Sequence, residues 1–379
     1  QFELDPEREE VWLRVEQLGS ELDRWERVEE VFSERVEEVA SLSGGGLNLL
    51  PHLASIREHR LRKQAEALKA WEPLHENEPT DTSVVEALER LYRQMEQPED
   101  LVRILETKVD LVDNDEERVE NLEEAAQIYE DVLDDDVRAI ENWERVLEIE
   151  QDRQAAVEAL ERLFRRREEW QDLDELFARQ ADLAVDPDRR RHYLLELGKL
   201  RAVKLKDFVG ACELLSQLVT EDPGDDEALD GLESLESILA EREDRPSLLL
   251  DIAETLEPVY RSRNDAEGLA RVLEVRVEDL VDPFDKLGVL DELVDIYADR
   301  LDQPDRAFDT LVRTMPLAPD EAPRRERLLE FGRQLDRLDE AIAALEDAAE
   351  EADPLEAPGI WRRVGEIRDT VLQDTQSAI

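Results

Sequence analysis

The chain repeats itself at an interval of 72 residues, and that period restricts its fold more than any other feature. Ala67, Trp71 and the string Ala87-Leu88-Glu89-Arg90-Leu91 return as Ala139, Trp143 and Ala159-Leu160-Glu161-Arg162-Leu163, each 72 positions on (139 − 67). Leu101 and Leu173 keep the same offset. Ala139 to Ala211 is again 72, Ala211 to Ala307 is 96, and Ala307 to Ala378 is 71. A period of this size means stacked units, none of which can bury its apolar face alone.

The best-defined unit is 139–173, AIENWERVLEIEQDRQAAVEALERLFRRREEWQDL. Its apolar residues Ile140, Trp143, Val146, Leu147, then Val157, Leu160, Leu163, Phe164, recur at spacings of three and four. That spacing predicts amphipathic helices with short polar breaks. Each marker alanine has a leucine six residues before it: Leu61, Leu133, Leu205, Leu301 and Leu372. A proline or polar turn follows about twelve after it, at Pro79, Gln151, Pro223 and Pro319.

Leucine, polar turn, small alanine, a large apolar residue four later and then proline: this order resembles the second helix of a tetratricopeptide repeat. Ala67/Trp71/Leu74/Pro79 carries the resemblance best, and Ala211/Leu215/Leu218/Pro223 also fits. Leu197-Gly198, and Leu88 with Tyr92, resemble the first helix. The sequence departs from the pattern where Glu89 and Glu161 stand in place of Gly198, and in lacking the turn glycine. The resemblance implies an all-α fold, a right-handed superhelical solenoid of antiparallel helix hairpins, two hairpins to each unit of 72. The expected units are 1–78, 79–150, 151–222, 223–318 and 319–379, in one solenoid that is a segment of a longer array. The 24 extra residues of the fourth unit predict an added helix near 245–263, with a bend or a three-helix layer around 241–268. Residues 6–41 read as a helix pair, with Trp12, Val15 and Leu18 on one side of the first helix. Trp25, Val28, Phe32 and Val36 line the second. Asp81 and Asp152 sit where a carboxylate could cap a helix start. Gly44-Gly45-Gly46 reads as a hinge, because no strand precedes it and no Lys-Ser/Thr follows.

Acids outnumber bases by 101 to 48, a formal charge of −53. That disfavours nucleic-acid phosphates and anionic membranes as partners. Scarce lysine in so acidic a chain fits either a salt-rich habitat or a solvated helical array. No apolar run reaches the ~20 residues of a membrane span. The lone Cys212 excludes an intrachain disulfide, and it occupies the place of Leu68, Ile140 and Phe308, so it reads as core. The cytoplasm is the favoured compartment.

No catalytic constellation emerges. His52, His59, His75 and His192 have no paired-ligand spacing, and no GxSxG, phosphate loop or dinucleotide fingerprint is present. Asp134-Asp135-Asp136 lacks the loop of a calcium site. The sequence therefore predicts no enzyme, no cofactor and no metal.

One anomaly is basic. From Arg189 to Lys206 seven bases meet one acid. Arg189, His192, Glu196 and Lys199 fall on one helical stripe, and the resemblance implies that it faces the concave groove. Arg162, Arg165 and Arg166 form a second stripe. The functional expectation is a patch accepting a carboxylate or an acidic peptide; the alternative is salt-bridging to neighbouring helices, worth at most ~1 kcal/mol per exposed pair. Three functions fit: a non-catalytic scaffold for a protein or peptide in the groove, an acidic surface for basic proteins in the manner of a mimic or chaperone, and a regulatory array attached to an enzyme domain elsewhere. The oligomeric state is left open.

Overall fold

The computed structural model describes residues 9–43, 47–242, 246–319, 321–352, 355 and 357–370. The expected glycine hinge at 44–46, Pro354, and the markers Leu372 and Ala378 lie outside them. Among the described residues the fold is all-α, a solenoid of antiparallel helix hairpins, in two compact units of residues 1–184 and 185–379.

The first unit holds α1 (Glu9–Leu22), α2 (Trp25–Ser43), α3 (Leu50–Ser55, continued as a wide π turn over Ile56–Arg60), α4 (Gln64–Asn77), α5 (Thr82–Gln94), α6 (Pro98–Leu111), α7 (Asp115–Asp131), α8 (Asp136–Ile149), α9 (Gln154–Arg167) and α10 (Trp170–Leu183). The second holds α11 (Pro187–Leu200, continued over Arg201–Leu205), α12 (Phe208–Glu221), α13 (Asp226–Ala240), α14 (Pro246–Arg263), α15 (Ala266–Asp279), α16 (Pro283–Asp295, continued over Ile296–Arg300), α17 (Pro304–Thr314), α18 (Ala322–Gln334), α19 (Leu338–Glu351) and α20 (Ala357–Thr370).

The marker positions explain the packing. Ala67, Ala139, Ala211 and Ala307 are all fully buried, where a larger side chain would hold neighbouring helices apart. Four residues on, Trp71, Trp143, Leu215 and Leu311 are buried too. Cys212 is core, and burial pushes its thiol pKa up. At the chain's start Trp12, Val28 and Phe32 pack on Leu49, Leu53 and Ile56, with Val15, Trp25 and Val36 against them. Leu18 departs from the expected apolar side; it is 40% exposed.

Hairpin turns supply a second repeat. Arg62, Asp134, Lys206 and Asp302 have positive φ, as do Asp23, Glu96, Glu168, Asn264 and Asp336. In the first set the N–H after the turn reaches back six residues: Lys63 to Arg57, Asp135 to Tyr129, Asp207 to Arg201 and Gln303 to Tyr297, at 2.7–3.0 Å. In the second it reaches back five, as from Gln97 to Tyr92 (3.0 Å) and Glu169 to Phe164 (2.9 Å), the Schellman pattern. None of these nine turns uses glycine, although a non-glycine residue in the left-handed region costs of order 1 kcal/mol or more. Glu96→Gly and Glu168→Gly, at exposed positions, should each stabilise the chain by about 1 kcal/mol. The check is the urea midpoint at unchanged m; a lower midpoint would show that glycine's unfolded-state entropy outweighs the relieved strain.

These turns also place the added helix. The sequence put it at 245–263, which is α14. But α14 ends in Asn264, the same left-handed turn that joins α5 to α6 and α9 to α10, so it pairs with α15. The helix outside the alternation is α13. It packs on α11, α12 and α14, and it is pinned by a polar network. Glu236 of α13 is only 4% exposed and lies 3.0 Å from Arg271 of α15. Arg271 also donates to the Tyr260 hydroxyl of α14 (2.7 Å), and that hydroxyl donates to Glu233.

Burial raises the Glu236 carboxyl above its ordinary pKa despite Arg271. A raised folded pKa favours the neutral form, so its stabilising contribution is present below the unfolded carboxyl pKa and lost as pH rises through the folded one. Glu236→Gln should therefore raise the melting temperature at pH 7–8, with the gain shrinking as pH falls towards 4. A lower melting temperature at pH 7.5 would mean that the Arg271 pair outweighs the burial cost.

Candidate polar sites on the first helices of the hairpins

The expected stripe on α9 is not a free cationic surface. Arg162 makes a two-pronged contact with Glu130 of α7 (2.9 and 2.8 Å). Arg166 reaches Asp136 (3.0 and 2.5 Å) and Glu130 (3.3 Å). Together these arginines hold the Glu130 carboxyl below the ordinary carboxylate range. Arg165 pairs along its own helix with Glu161 (2.9 Å).

The same arrangement recurs between other first helices of the hairpins. Arg90 of α5 grips Glu58 at the end of α3, and Arg93 grips Glu124 of α7 (2.7 and 2.8 Å). In the second unit Arg261 of α14 holds Glu292 of α16 (3.1 and 2.9 Å). Arg324 and Arg327 of α18 hold Asp291 (2.6 Å) and Asp295 (2.7 Å) of α16. Arg363 of α20 holds Glu326 of α18 (2.8 Å on both prongs). Arginine suits these rungs because its planar fork matches a carboxylate, which lysine cannot do.

On α11 the bases divide. Arg191 pairs two-pronged with Asp225, the buried N-cap of α13, and with Glu227 (3.1 Å), which holds the Asp225 carboxyl low. Lys199 lies 3.7 Å from Glu196. The exposed His192 ring is 5.5 Å from that of Tyr193, and Arg189 is exposed. Arg189, His192, Glu196 and Lys199 thus share α11 in the second unit, whereas Arg162, Arg165 and Arg166 belong to the first.

The aspartate run divides similarly. Asp134 takes the left-handed turn, Asp135 caps α8 through the Arg138 N–H (3.2 Å), and Asp136 receives Arg166. Asp81 caps α5 by accepting from the Ser83 N–H (2.9 Å). Asp152 does not cap α9: the N-cap is Arg153, whose guanidinium bonds to Glu123 instead. Among the described residues no three His, Cys, Asp or Glu side chains group as metal ligands.

With the arginines engaged, the surplus carboxylates define the surface. An acidic cleft of about 530 Å³ opens between α5 and α7. Glu89 forms one wall, and Glu116, Glu117, Glu120 and Glu124 the other, with Lys108 of α6 beneath. Lys108 sits 3.2 Å from Glu89 and 3.5 Å from Glu117. Glu116 and Glu120 are exposed and make no ion pair among the described residues. They stand on the first two turns of α7, where the helix dipole favours negative charge. The run Asp113-Asn114-Asp115-Glu116-Glu117 was the available sequence signal, but it does not show that Glu89 faces it.

Comparison with known proteins adds the family. The sequence pattern described as the N-terminal tetratricopeptide repeats region of Psidin matches residues 48–127, and that of a tetratricopeptide repeat matches 156–191. The chain carries tetratricopeptide-like repeats. No curated protein matches the sequence. Solved structures that resemble it include Naa15/Naa10 bound to HypK-THB, at 15% identity and a TM-score of 0.29. That alignment covers 95% of this chain and 55% of that one. The C-terminal part of a tetratricopeptide repeat-containing protein from Cytophaga hutchinsonii aligns at 14% identity over 74% of this chain and 99% of that one, with a TM-score of 0.31. The tetratricopeptide domain of P58(IPK) aligns at 14% over 97% and 99%, with a TM-score of 0.25. This chain therefore spans about half the length of the Naa15/Naa10 chain it resembles. No described helix is long and apolar enough to cross a membrane.

Proposed function

We propose that the chain is a non-catalytic scaffold that binds a protein partner, and that the segment it binds is basic. Tetratricopeptide repeats are suited to protein interaction because stacked hairpins offer a long row of helix faces without a central core. The observation carrying the sign of the partner is the cleft between α5 and α7, where five carboxylates line the walls: Arg93 and Lys108 engage Glu89, Glu117 and Glu124, and Glu116 and Glu120 are left without an ion pair among the described residues. The rungs neutralise many of the chain's 48 bases locally, so the excess of acids is what a partner meets. The test is binding of a lysine-rich peptide to the full chain, with Glu116→Lys/Glu120→Lys as the variant. The peptide should bind, weaken steeply with salt, and lose roughly tenfold in affinity on the double reversal. An unchanged affinity would remove the cleft from the interaction.

A second reading places an acidic segment along α11, against Arg189, His192 and Lys199. The exposure of Arg189 and His192 favours it. Arg189→Glu/Lys199→Glu should then abolish binding of a glutamate-rich peptide and leave the fold intact. If an acidic peptide fails to bind the unaltered chain, the patch is structural.

A further inference from the structure

A second cleft, of about 540 Å³, lies in the other unit, between α12 and α14. It stands where α13 interrupts the alternation of hairpins. Its chemistry differs from that of the acidic cleft, because it joins an apolar floor to an acidic rim. Val219 and Pro223 line one side, and Pro258 and Val259 the other. Asp251 and Glu254, two turns and one turn before them on α14, are exposed at the edge.

The polar groups of this cleft accept hydrogen bonds and offer almost none. The Thr255 hydroxyl is spent on the Asp251 carbonyl (2.9 Å), and the Ser262 hydroxyl on the Val259 carbonyl (2.8 Å). Pro258 sits inside α14 and has no N–H, so the Glu254 carbonyl lacks its helical donor. Glu254 and Pro258 both line the cleft. A site with an apolar floor and two carboxylates is complementary to cationic donors around an apolar side chain.

We infer that the α12–α14 cleft docks a basic polypeptide segment, with one large apolar side chain between the exposed rings of Pro223 and Pro258, behind which Val219 and Val259 are buried, and flanking lysines or arginines on Asp251 and Glu254. This rests on the reading of the chain as a scaffold for basic partners. It adds a second contact with its own requirement, the apolar anchor.

The probe is a short labelled peptide with a central leucine and lysines and arginines on both sides, titrated against the full chain by fluorescence anisotropy. Asp251→Lys/Glu254→Lys should weaken binding roughly tenfold or more. Both residues are exposed, so the fold should survive, as helical circular dichroism would verify. Leucine→serine in the peptide should cost roughly tenfold as well. If Glu116→Lys/Glu120→Lys abolishes binding while Asp251→Lys/Glu254→Lys changes nothing, this inference falls and the basic-partner reading stands. If the α14 reversal matters but the leucine does not, the cleft takes charge alone and the anchored mode is overturned. If the peptide fails to bind at all, both readings fall.

Discussion

Trp143→Ala should destabilise the first unit by about 3–5 kcal/mol, the range for truncating a buried tryptophan. The indole is 2% exposed and sits one turn after the fully buried Ala139. Val146 and Leu147 continue the same buried face. A loss of that size is a large fraction of the 5–15 kcal/mol that holds a typical domain folded. The indole N–H has no acceptor within the described structure, and the same is true of Trp71 at the equivalent place. An unpaired buried donor costs about 1–3 kcal/mol. Trp143→Phe removes that donor and keeps most of the ring, so its loss should be near 1 kcal/mol or less. Urea denaturation of both variants, read as midpoint shifts at constant m, separates ring volume from the polar group. If alanine and phenylalanine cost the same, the ring does not fill the space between hairpins.

What the sequence carried well was the repeat itself. The 72-residue offset, the buried alanines and the large residue four later all concern which side chains face inward, and hydrophobic spacing encodes that directly. It carried the turns poorly. Nine left-handed positions lack glycine, so the usual mark of such a turn is missing, and the pairing of α14 with α15 could not be read from composition. The arginine rungs were half legible. Glu58 and Arg90 recur as Glu130 and Arg162 at the same offset of 72, each pair 32 residues apart, which marks a contact across one hairpin. Taken along a single helix, the same arginines look like an open cationic stripe. Periodicity reports the face of a residue but not the acid that stands opposite it on the next hairpin. The two clefts escaped for a related reason: each joins helices that are not consecutive, α5 with α7 and α12 with α14.

Salt should stabilise the chain, and the distances between its charges say over what range. The rungs are contacts of about 3 Å, well inside the Debye length of ~10 Å at 0.1 M salt, so moderate salt screens them little. The 53 excess negative charges have no such partners and act on one another over longer distances. Two like charges ~10 Å apart in water repel by about 0.4 kcal/mol. Raising salt from 0.01 to 0.3 M shortens the screening length from ~30 Å to below 10 Å, which removes much of that repulsion. If each excess charge gains about 0.1 kcal/mol on screening, a unit of this size gains roughly 2–3 kcal/mol, or about 5–10 °C in melting temperature. Above that range the curve should flatten, because the remaining favourable pairs begin to be screened as well. The measurement is a thermal melt followed by helical circular dichroism across a sodium chloride series at pH 7.5. A melting temperature that falls between 0.01 and 0.3 M would show that the rungs, and not the excess acids, dominate the electrostatics of folding.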